Sequence, residues 1–200
     1  ICFTGDGDLQ TNLPELGTKA DLDRHLAKGV VKAAPEILEI EAPIPEDRLV
    51  SLVAQRFGIS RLYSKRIETI RACFDRIPGI QKTNDDTGSY LWSSERSPTT
   101  WKNYRMTPEG HPRDLWPTKK GTVPIAREEI RNAMVDIVRI AHGAHSDELI
   151  RRTAQLFGRE VLRNDVEKRL RSVLDWASSE AVGSLLLDGE QYQIPIPDES

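Results

Sequence analysis

A run of basic side chains between residues 61 and 82 has the chemistry to bind phosphate groups. These side chains belong to a predicted helix that begins at Ser64 and to the segments on either side of it. Eight basic residues stand against three acidic ones from residue 47 to residue 82, so the segment is strongly positive. Guanidinium and ammonium groups pair readily with phosphates. The predicted phosphate-contacting set is Arg61, Lys65, Arg66, Thr69, Arg76 and Lys82.

A second and weaker basic set lies one hundred positions later, on a corresponding predicted helix. It consists of Arg163, Lys168 and Arg169, with Asp165 and Glu167 between them. From residue 146 to residue 175 seven basic residues face six acidic ones. The first set is therefore the better candidate for contact with nucleic acid.

Two aromatic residues could stack on nucleic acid bases. Trp101 and Tyr104 alternate with Lys102 and Arg105, which combines flat rings with positive charge. This combination is typical of proteins that stack on single-stranded bases while pairing with phosphates. Packing of a long loop onto the rest of the protein explains the same pattern equally well.

Motifs of catalysis and metal binding are missing from the sequence. It contains none of the patterns G-x-S-x-G, H-E-x-x-H, G-x-G-x-x-G and G-x-x-x-x-G-K-[ST]. The pair His142 and His145 has a spacing that suits a metal, but its neighbours offer no further ligand, so it is interpreted as a helix-ending loop. The chain is predicted to be non-catalytic and to hold no metal or cofactor.

An internal repeat defines the elements that carry these residues. Residues 33–75 align without a gap on residues 133–175, and twelve of the forty-three pairs are identical. Among the identical pairs are Phe57-Gly58 with Phe157-Gly158. The period is longer than that of solenoid repeats, so it indicates two copies of one small domain.

Each copy reads as three helices followed by a β-hairpin. Apolar residues recur at helical spacing, and Gly58 and Gly158 mark the end of each second helix. The hairpins are predicted on either side of 84–88 and of the Asp188-Gly189 turn, which suits type I′. The predicted helices are 30–41, 46–57 and one capped by Ser64 in the first copy, and 126–141, one capped by Ser146 that ends at Gly158, and one capped by Asn164 in the second.

Three helices and a hairpin are the outline of a winged helix-turn-helix domain. The fold class predicted from the sequence is therefore mainly α with small β wings, arranged as tandem winged helix-turn-helix domains. In such domains the third helix usually lies in the major groove of DNA. The exposed basic residues of this helix are therefore the predicted contacts to nucleic acid. The predicted division is an N-terminal segment at 1–29, a first domain at 30–95, a connector at 96–125 and a second domain at 126–196.

Arg71 and Arg171 occur at equivalent positions of the two copies. Each lies at the edge of the inward-facing stripe of its helix, four residues before Asp75 or Asp175. An ion pair within the helix is the preferred interpretation, and contact with a base is the alternative.

Composition and charge exclude some protein classes. Hydrophobic residues make up 38% of the chain and charged residues 30%, and no apolar run is long enough to span a bilayer. The net charge of −3 divides into −5 for residues 1–46, +7 for 47–127 and −5 for 128–200. The start has no signal-peptide pattern and there are only two cysteines, so a soluble protein of the reducing cytoplasm is expected.

The first copy also resembles a known family. The stretch Ile37-Leu-Glu-Ile-Glu-Ala-Pro-Ile44, then Asp47-x-Leu49, Phe57-Gly58-Ile59-x-Arg61 and Arg66-Ile67, is similar to a domain of unknown function. That domain lies near the C-terminus of large bacterial proteins related to superfamily I DNA helicases. The similarity covers residues 30–95 well, although the family usually has glycine where this chain has Ala42. It implies that the parent polypeptide carries a helicase-type ATPase and often a nuclease domain elsewhere.

Two functions are consistent with these observations. The first is a non-catalytic accessory region that contacts DNA mainly through phosphates, within a larger helicase- or nuclease-type protein. It predicts a steep dependence of binding on salt. The second is a scaffold module that docks the ATPase domains of the same polypeptide, and it predicts an exposed apolar patch with weak salt sensitivity.

Overall fold

The computed structural model describes residues 19–106, 113–117 and 121–195. About half of the described chain is helical, and the rest includes small, mostly antiparallel sheets. The expectation of a mainly α fold with small β elements is confirmed. Of the predicted N-terminal segment, residues 1–18 lie outside the described residues.

The first repeat contains three helices and a three-stranded antiparallel sheet. The sheet has the strand order β1-β3-β2, because the short strand before α2 pairs with the second strand of the hairpin. That short strand was not predicted from the sequence, since two residues are too few to show alternation. The elements are α1 (Lys19–Glu41), β1 (Ile44–Pro45), α2 (Glu46–Arg56), α3 (Ser64–Phe74), β2 (Gln81–Asp85) and β3 (Gly88–Trp92).

Helix α1 begins earlier than the sequence pattern predicted. The sequence pattern predicted a start at Val30, despite Pro35 near the beginning of that helix. The helix instead begins at Lys19, so Pro35 lies in its interior and one backbone hydrogen bond is missing there. The burial of Ala33, Ala34, Ile37 and Leu38 along the same helix offsets this loss.

The connector adds a short parallel pair of strands, β4 (Arg113–Asp114) and β5 (Val123–Pro124). Leu115 and Ile125 next to these strands are fully buried. The end of the connector therefore packs as part of the second repeat.

The second repeat has the same succession of elements as the first. Its sheet has the order β6-β8-β7, which matches β1-β3-β2 strand for strand. The elements are α4 (Arg127–Ala141), β6 (Ala144–His145), α5 (Ser146–Leu156), α6 (Asn164–Ser178), β7 (Leu186–Asp188) and β8 (Gln191–Gln193).

Each repeat buries its own hydrophobic core. Val50, Ile70 and Phe74 belong to the core of the first repeat, and Ile150, Leu170 and Leu174 occupy the equivalent positions in the second. These side chains come from the second and third helices, so the apolar stripes read from the sequence face inward as predicted.

The details of the helix starts and turns differ from the predictions. Ser64, Ser146 and Asn164 are the first helical residues, and the residue before each one holds the cap position without a side-chain cap hydrogen bond. In each case the residue before the helix has an extended backbone conformation. It therefore occupies the N-cap position that was predicted for the polar residue.

The hairpin turns also differ from the predictions, the first in length and the second in position. In the first repeat β2 continues to Asp85, so a two-residue turn replaces the expected loop 84–88. In the second repeat the turn residues are Gly189 and Glu190, and only the glycine has a positive φ. The prediction of a type I′ turn is therefore wrong, because that turn needs a positive φ at both residues.

Candidate nucleic-acid interface

The third helix of the first repeat and the segments directly before and after it expose positive groups. Arg61, Lys65 and Arg76 are exposed, and no carboxylate of the described residues pairs with any of them. Arg66 is half-buried and its guanidinium lies 3.4 Å from the carbonyl oxygen of Arg61. These four residues are named the α3 basic surface here. Their charge is left available for an external anion.

Two members of the predicted set are engaged within the protein. The hydroxyl of Thr69 donates a hydrogen bond to the carbonyl oxygen of Lys65 at 2.9 Å. The ammonium group of Lys82 lies 2.9 Å from a carboxylate oxygen of Glu46, which is itself mostly buried. Thr69 and Lys82 are therefore less available to a ligand than the α3 basic surface.

The start of α3 is more positive than the start of its counterpart α6. The first turn of α3 contains no acidic residue, whereas the first turn of α6 contains Asp165 and Glu167. Carboxylates at the start of a helix neutralise the partial positive charge of its free N–H groups. The electrostatic difference between the two repeats is thus concentrated at their third helices.

In the second repeat, the predicted residues lie in three different environments. Arg163 is exposed and its guanidinium lies 3.2 Å from Asp165, so its charge is partly cancelled. Lys168 is exposed and has no ion pair with a described residue. Arg169 does not face solvent at all, since only 1% of it is exposed.

The expected exposure of Arg169 is therefore wrong. Its position lies three residues after Val166 and four before Val173, so it shares the inward side of α6 with these two buried residues. This spacing is a signal that the sequence already contained. The side chain was nevertheless predicted to be exposed, because arginine is rarely buried without a partner.

The partner is the hairpin of the first repeat. The Arg169 guanidinium lies 3.1 Å from Asp85 and 3.2 Å from the hydroxyl of Thr87. It also donates hydrogen bonds to the carbonyl oxygens of Leu115 and of Ile125. The tip of the first hairpin is therefore covered by the second repeat.

Asp85 has a second function in this contact. Its carboxylate accepts a hydrogen bond at 3.2 Å from the backbone N–H of Arg127, which begins α4. A carboxylate in this position satisfies a free N–H group and stabilises the positive end of the helix. Asp85 thus supplies from the first repeat a cap that α4 lacks in its own sequence.

Arg71 and Arg171 form ion pairs, but with different partners from those predicted. Arg171 lies 2.9 Å from Asp147, and Arg71 hydrogen-bonds to Asp47 in the same way. The expected partner Asp175 is not among the contacts of Arg171. Each pair joins the third helix to the start of the second helix. In both repeats the arginine is therefore already ion-paired within the protein.

The two aromatic residues of the connector take part in packing. The ring of Tyr104 meets the ring of Phe157 edge to face, with a centroid distance of 6.2 Å, and contacts the core of the second repeat. The guanidinium of Arg96 lies 5.0 Å from the centroid of the Trp101 ring. Both aromatic residues are half-buried. Packing therefore accounts for much of their surface, and base stacking by them stays a prediction.

One exposed aromatic residue was not in the predicted set. Tyr63 precedes α3, lies between members of the α3 basic surface in the sequence, and is 65% exposed. Trp101 and Tyr104 of the connector were the only aromatic residues in the predicted set. The signal that could have found Tyr63 is its position between Arg61 and Lys65, outside the apolar stripe of the helix.

No metal site is apparent in the part of the chain that the structure describes. There, no three side chains of histidine, cysteine, aspartate or glutamate come together in a group that could hold a metal ion. His142 ends α4 in a left-handed conformation, and the ring of His145 lies 3.0 Å from the carbonyl oxygen of Glu190. Nor do the described residues include a helix with the length and apolarity needed to cross a bilayer.

A comparison with known families places part of this region in context. A family model described as "Protein of unknown function (DUF3320)" matches residues 22–67. The match covers 46 of the 200 residues, from α1 through the first turn of α3, and includes the stretches from Ile37 to Ile67 that carry the resemblance noted above. No curated protein and no solved structure matches the chain. The chain is similar to this family over residues 22–67, which form part of its first repeat.

Proposed function

We propose that this chain is a non-catalytic accessory region that binds nucleic acid, mainly through phosphates, within a larger helicase- or nuclease-type protein. The observation that supports this most strongly is the α3 basic surface. Four positive side chains lie there without a carboxylate partner among the described residues, although most other arginines are paired. Lys65 and Arg66 lie in the first turn of α3, and Arg61 and Arg76 lie just before and after the helix. Unpaired cations are suited to a polyanion.

The architecture supports a tandem winged-helix interpretation. Each repeat has three helices, and the strand before its second helix pairs with the hairpin that follows its third. In helix-turn-helix domains the third helix is the one that enters a groove of DNA. On this interpretation the α3 basic surface lies on the helix that meets the nucleic acid.

The two repeats have different parts in this proposal. The first repeat provides the contact surface, since the first turn of α6 contains carboxylates and Arg169 of that helix is buried. The second repeat covers the tip of the first wing, so that wing tip is not the contact. The second repeat supports the first and orients α3.

A salt titration tests the proposal. Four phosphate contacts should make the logarithm of the affinity fall with the logarithm of salt concentration with a slope of about −3 to −4. Fluorescence anisotropy with a labelled duplex and a labelled single strand, each at two salt concentrations, measures this slope. The double variant Lys65→Ala/Arg66→Ala should bind more weakly and with a shallower slope.

The outcomes of the titration separate the alternatives. Undiminished binding by the double variant would move the contact surface away from α3. If the unchanged protein fails to bind at low salt, the proposal is wrong and the docking function becomes the better one.

A specific observation also favours the docking function. Leu186 and Leu187 on β7 are each more than half exposed, and β7 is the outer strand of its sheet. An exposed apolar strand edge is a common site of protein association. In this second candidate function the partner is the ATPase region of the parent polypeptide. The variant Leu186→Ser/Leu187→Ser should then weaken that association with little dependence on salt.

A further inference from the structure

The exposed ring of Tyr63 is unusual among the aromatic side chains of the described residues. Tyr63 is 65% exposed and Phe57 is 39% exposed, and the other aromatic side chains described are buried or half-buried. A large ring left in water forgoes the free energy of burial. An exposed ring of this kind is therefore available to a partner.

The backbone of Tyr63 is held while its ring is not. Its carbonyl oxygen accepts hydrogen bonds from the N–H of Arg66 at 2.9 Å and from the N–H of Ile67 at 3.1 Å. Leu62, the residue directly before Tyr63, packs against the core of the first repeat. The ring is thus presented from a fixed position, which limits the entropy lost when it binds.

Positive residues flank Tyr63 in the sequence, and one of them reaches back to the segment that carries it. Arg61 and Lys65 lie two residues before and after it, and both are exposed. The guanidinium of Arg66 reaches back to within 3.4 Å of the Arg61 carbonyl oxygen, so it lies beside the segment that carries the ring. Tyr63 is therefore an exposed aromatic residue flanked in the sequence by cations that have no carboxylate partner among the described residues.

We propose that Tyr63 stacks on an unpaired base, while the cations around it contact the adjoining phosphates. This inference rests on the proposed function and specifies its ligand class as single-stranded nucleic acid or a duplex end with an unpaired base. A base inside a duplex is stacked on its neighbours, so the ring cannot reach its face. Every base offers such a face, and the contact is accordingly tolerant of sequence.

The second repeat lacks this arrangement. The residues equivalent to Arg61, Tyr63 and Lys65 are Val161, Arg163 and Asp165. Arg163 pairs with Asp165, so neither a ring nor an array of free cations is present at that position. The stacking site therefore belongs to the first repeat alone.

A protein partner is less well supported at this position. Docking surfaces are usually apolar at their centre, with charged residues depleted there. Around Tyr63 the exposed neighbours are charged or polar, namely Arg61, Ser64 and Lys65, and the apolar neighbour Leu62 packs against the core. The surroundings of the ring favour a polyanion with flat groups.

The test uses the whole chain with three labelled ligands of equal length: an oligothymidylate, the same strand with abasic sites in place of the bases, and a blunt duplex. The variants are Tyr63→Ala and Tyr63→Phe, with Arg163→Ala as the matched change in the second repeat. Tyr63→Ala should weaken binding to the oligothymidylate about tenfold, the usual loss for one stacked base. It should leave binding to the abasic strand and to the duplex unchanged.

The controls identify the cause of any loss. Tyr63→Phe keeps the ring and should keep the affinity, and Arg163→Ala should have little effect on any ligand. Circular dichroism should show the same unfolding midpoint for all variants, because both positions are exposed. An equal loss on all three ligands would show general damage to the surface and would overturn the stacking inference.

Failure of the inference and failure of the proposed function give different results. If the unchanged protein binds all three ligands with salt dependence and Tyr63→Ala binds them equally well, the stacking inference is wrong and the phosphate-binding function remains. If the unchanged protein binds none of them at low salt, both are wrong.

Discussion

The guanidinium of Arg169 lies 3.1 Å from a carboxylate oxygen of Asp85, and the two side chains are almost completely buried although 84 residues separate them. The pair joins α6 of the second repeat to the hairpin of the first. A buried ion pair stabilises a fold less than its short distance suggests, because both charges lose their hydration. Removing only one partner strongly destabilises the fold, because it leaves the other charge buried and unpaired.

Asp85→Ala should lower the free energy of unfolding by about 3–5 kcal/mol. The change leaves the Arg169 charge without its buried partner and removes the acceptor for the N–H of Arg127. Urea unfolding measures the effect. The matched control is Asp86→Ala, because Asp86 is also close to Arg169 but is 40% exposed. Similar unfolding midpoints for the two variants would contradict the structural importance of the buried pair.

Glu128→Gln should stabilise the protein at neutral pH. Burial raises the pKa of the Glu128 carboxyl above its ordinary value of 4.5, because the charged form loses hydration, and Arg127 offsets this only in part. The folded state then holds the proton more tightly than the unfolded state does, so stability falls as pH rises above 4.5. The amide cannot ionise and escapes this loss.

Urea unfolding as a function of pH checks the sign. The stabilisation by Glu128→Gln should be present at neutral pH and disappear well below the ordinary pKa of glutamate. The control is Glu129→Gln, which should destabilise instead, because the Glu129 carboxylate accepts hydrogen bonds from Arg105 and Arg113. Equal effects of the two variants would be inconsistent with the different environments of the two carboxylates.

Arg76→Ala should weaken nucleic acid binding more than Lys82→Ala does. Arg76 is exposed without an ion pair to a described residue, whereas Lys82 pairs with Glu46 at 2.9 Å. Loss of one phosphate contact should reduce the salt slope of Arg76→Ala by about one. The matched control is Lys168→Ala, an exposed lysine on the more acidic third helix of the second repeat. A larger loss for Lys168→Ala would transfer the interface to that repeat.

Asp147→Ala should destabilise the protein slightly more than Asp175→Ala does. Arg171 pairs with Asp147 across two helices at 2.9 Å, but both side chains are largely exposed. Exposed pairs of this kind contribute about 0.2–1 kcal/mol. Precise urea unfolding curves of the two variants can resolve the difference, and a greater cost for Asp175→Ala would support the pairing originally predicted from the sequence.

The helices could be predicted because their signals are local. The apolar spacing of Ile67, Ile70 and Phe74 and the glycine after each second helix depend only on neighbouring residues, and the repeat provided the same information twice. The start of α1 at Lys19 was not predicted, and the helix continues through Pro35 with buried residues on both sides of it.

The candidate site was predicted in part for the same reason. The exposure of Arg61, Lys65 and Arg76 follows from their position outside the apolar stripe, which the sequence shows. The ion pair of Lys82 depends on Glu46, which is 36 residues away, and the burial of Arg169 depends on Asp85, which is 84 residues away. No local pattern contains that information.

The sequence by itself determined that two similar helical units follow one another and that the third helix of the first unit has a positive side. Local periodicity and composition are sufficient for this. Only the tertiary structure decided that the hairpin of the first unit contacts the second unit through Asp85 and Arg169, and that Tyr63 is left exposed near cations without a carboxylate partner among the described residues. Desolvation and ion pairing depend on which groups meet in space, and that is settled when the units pack together.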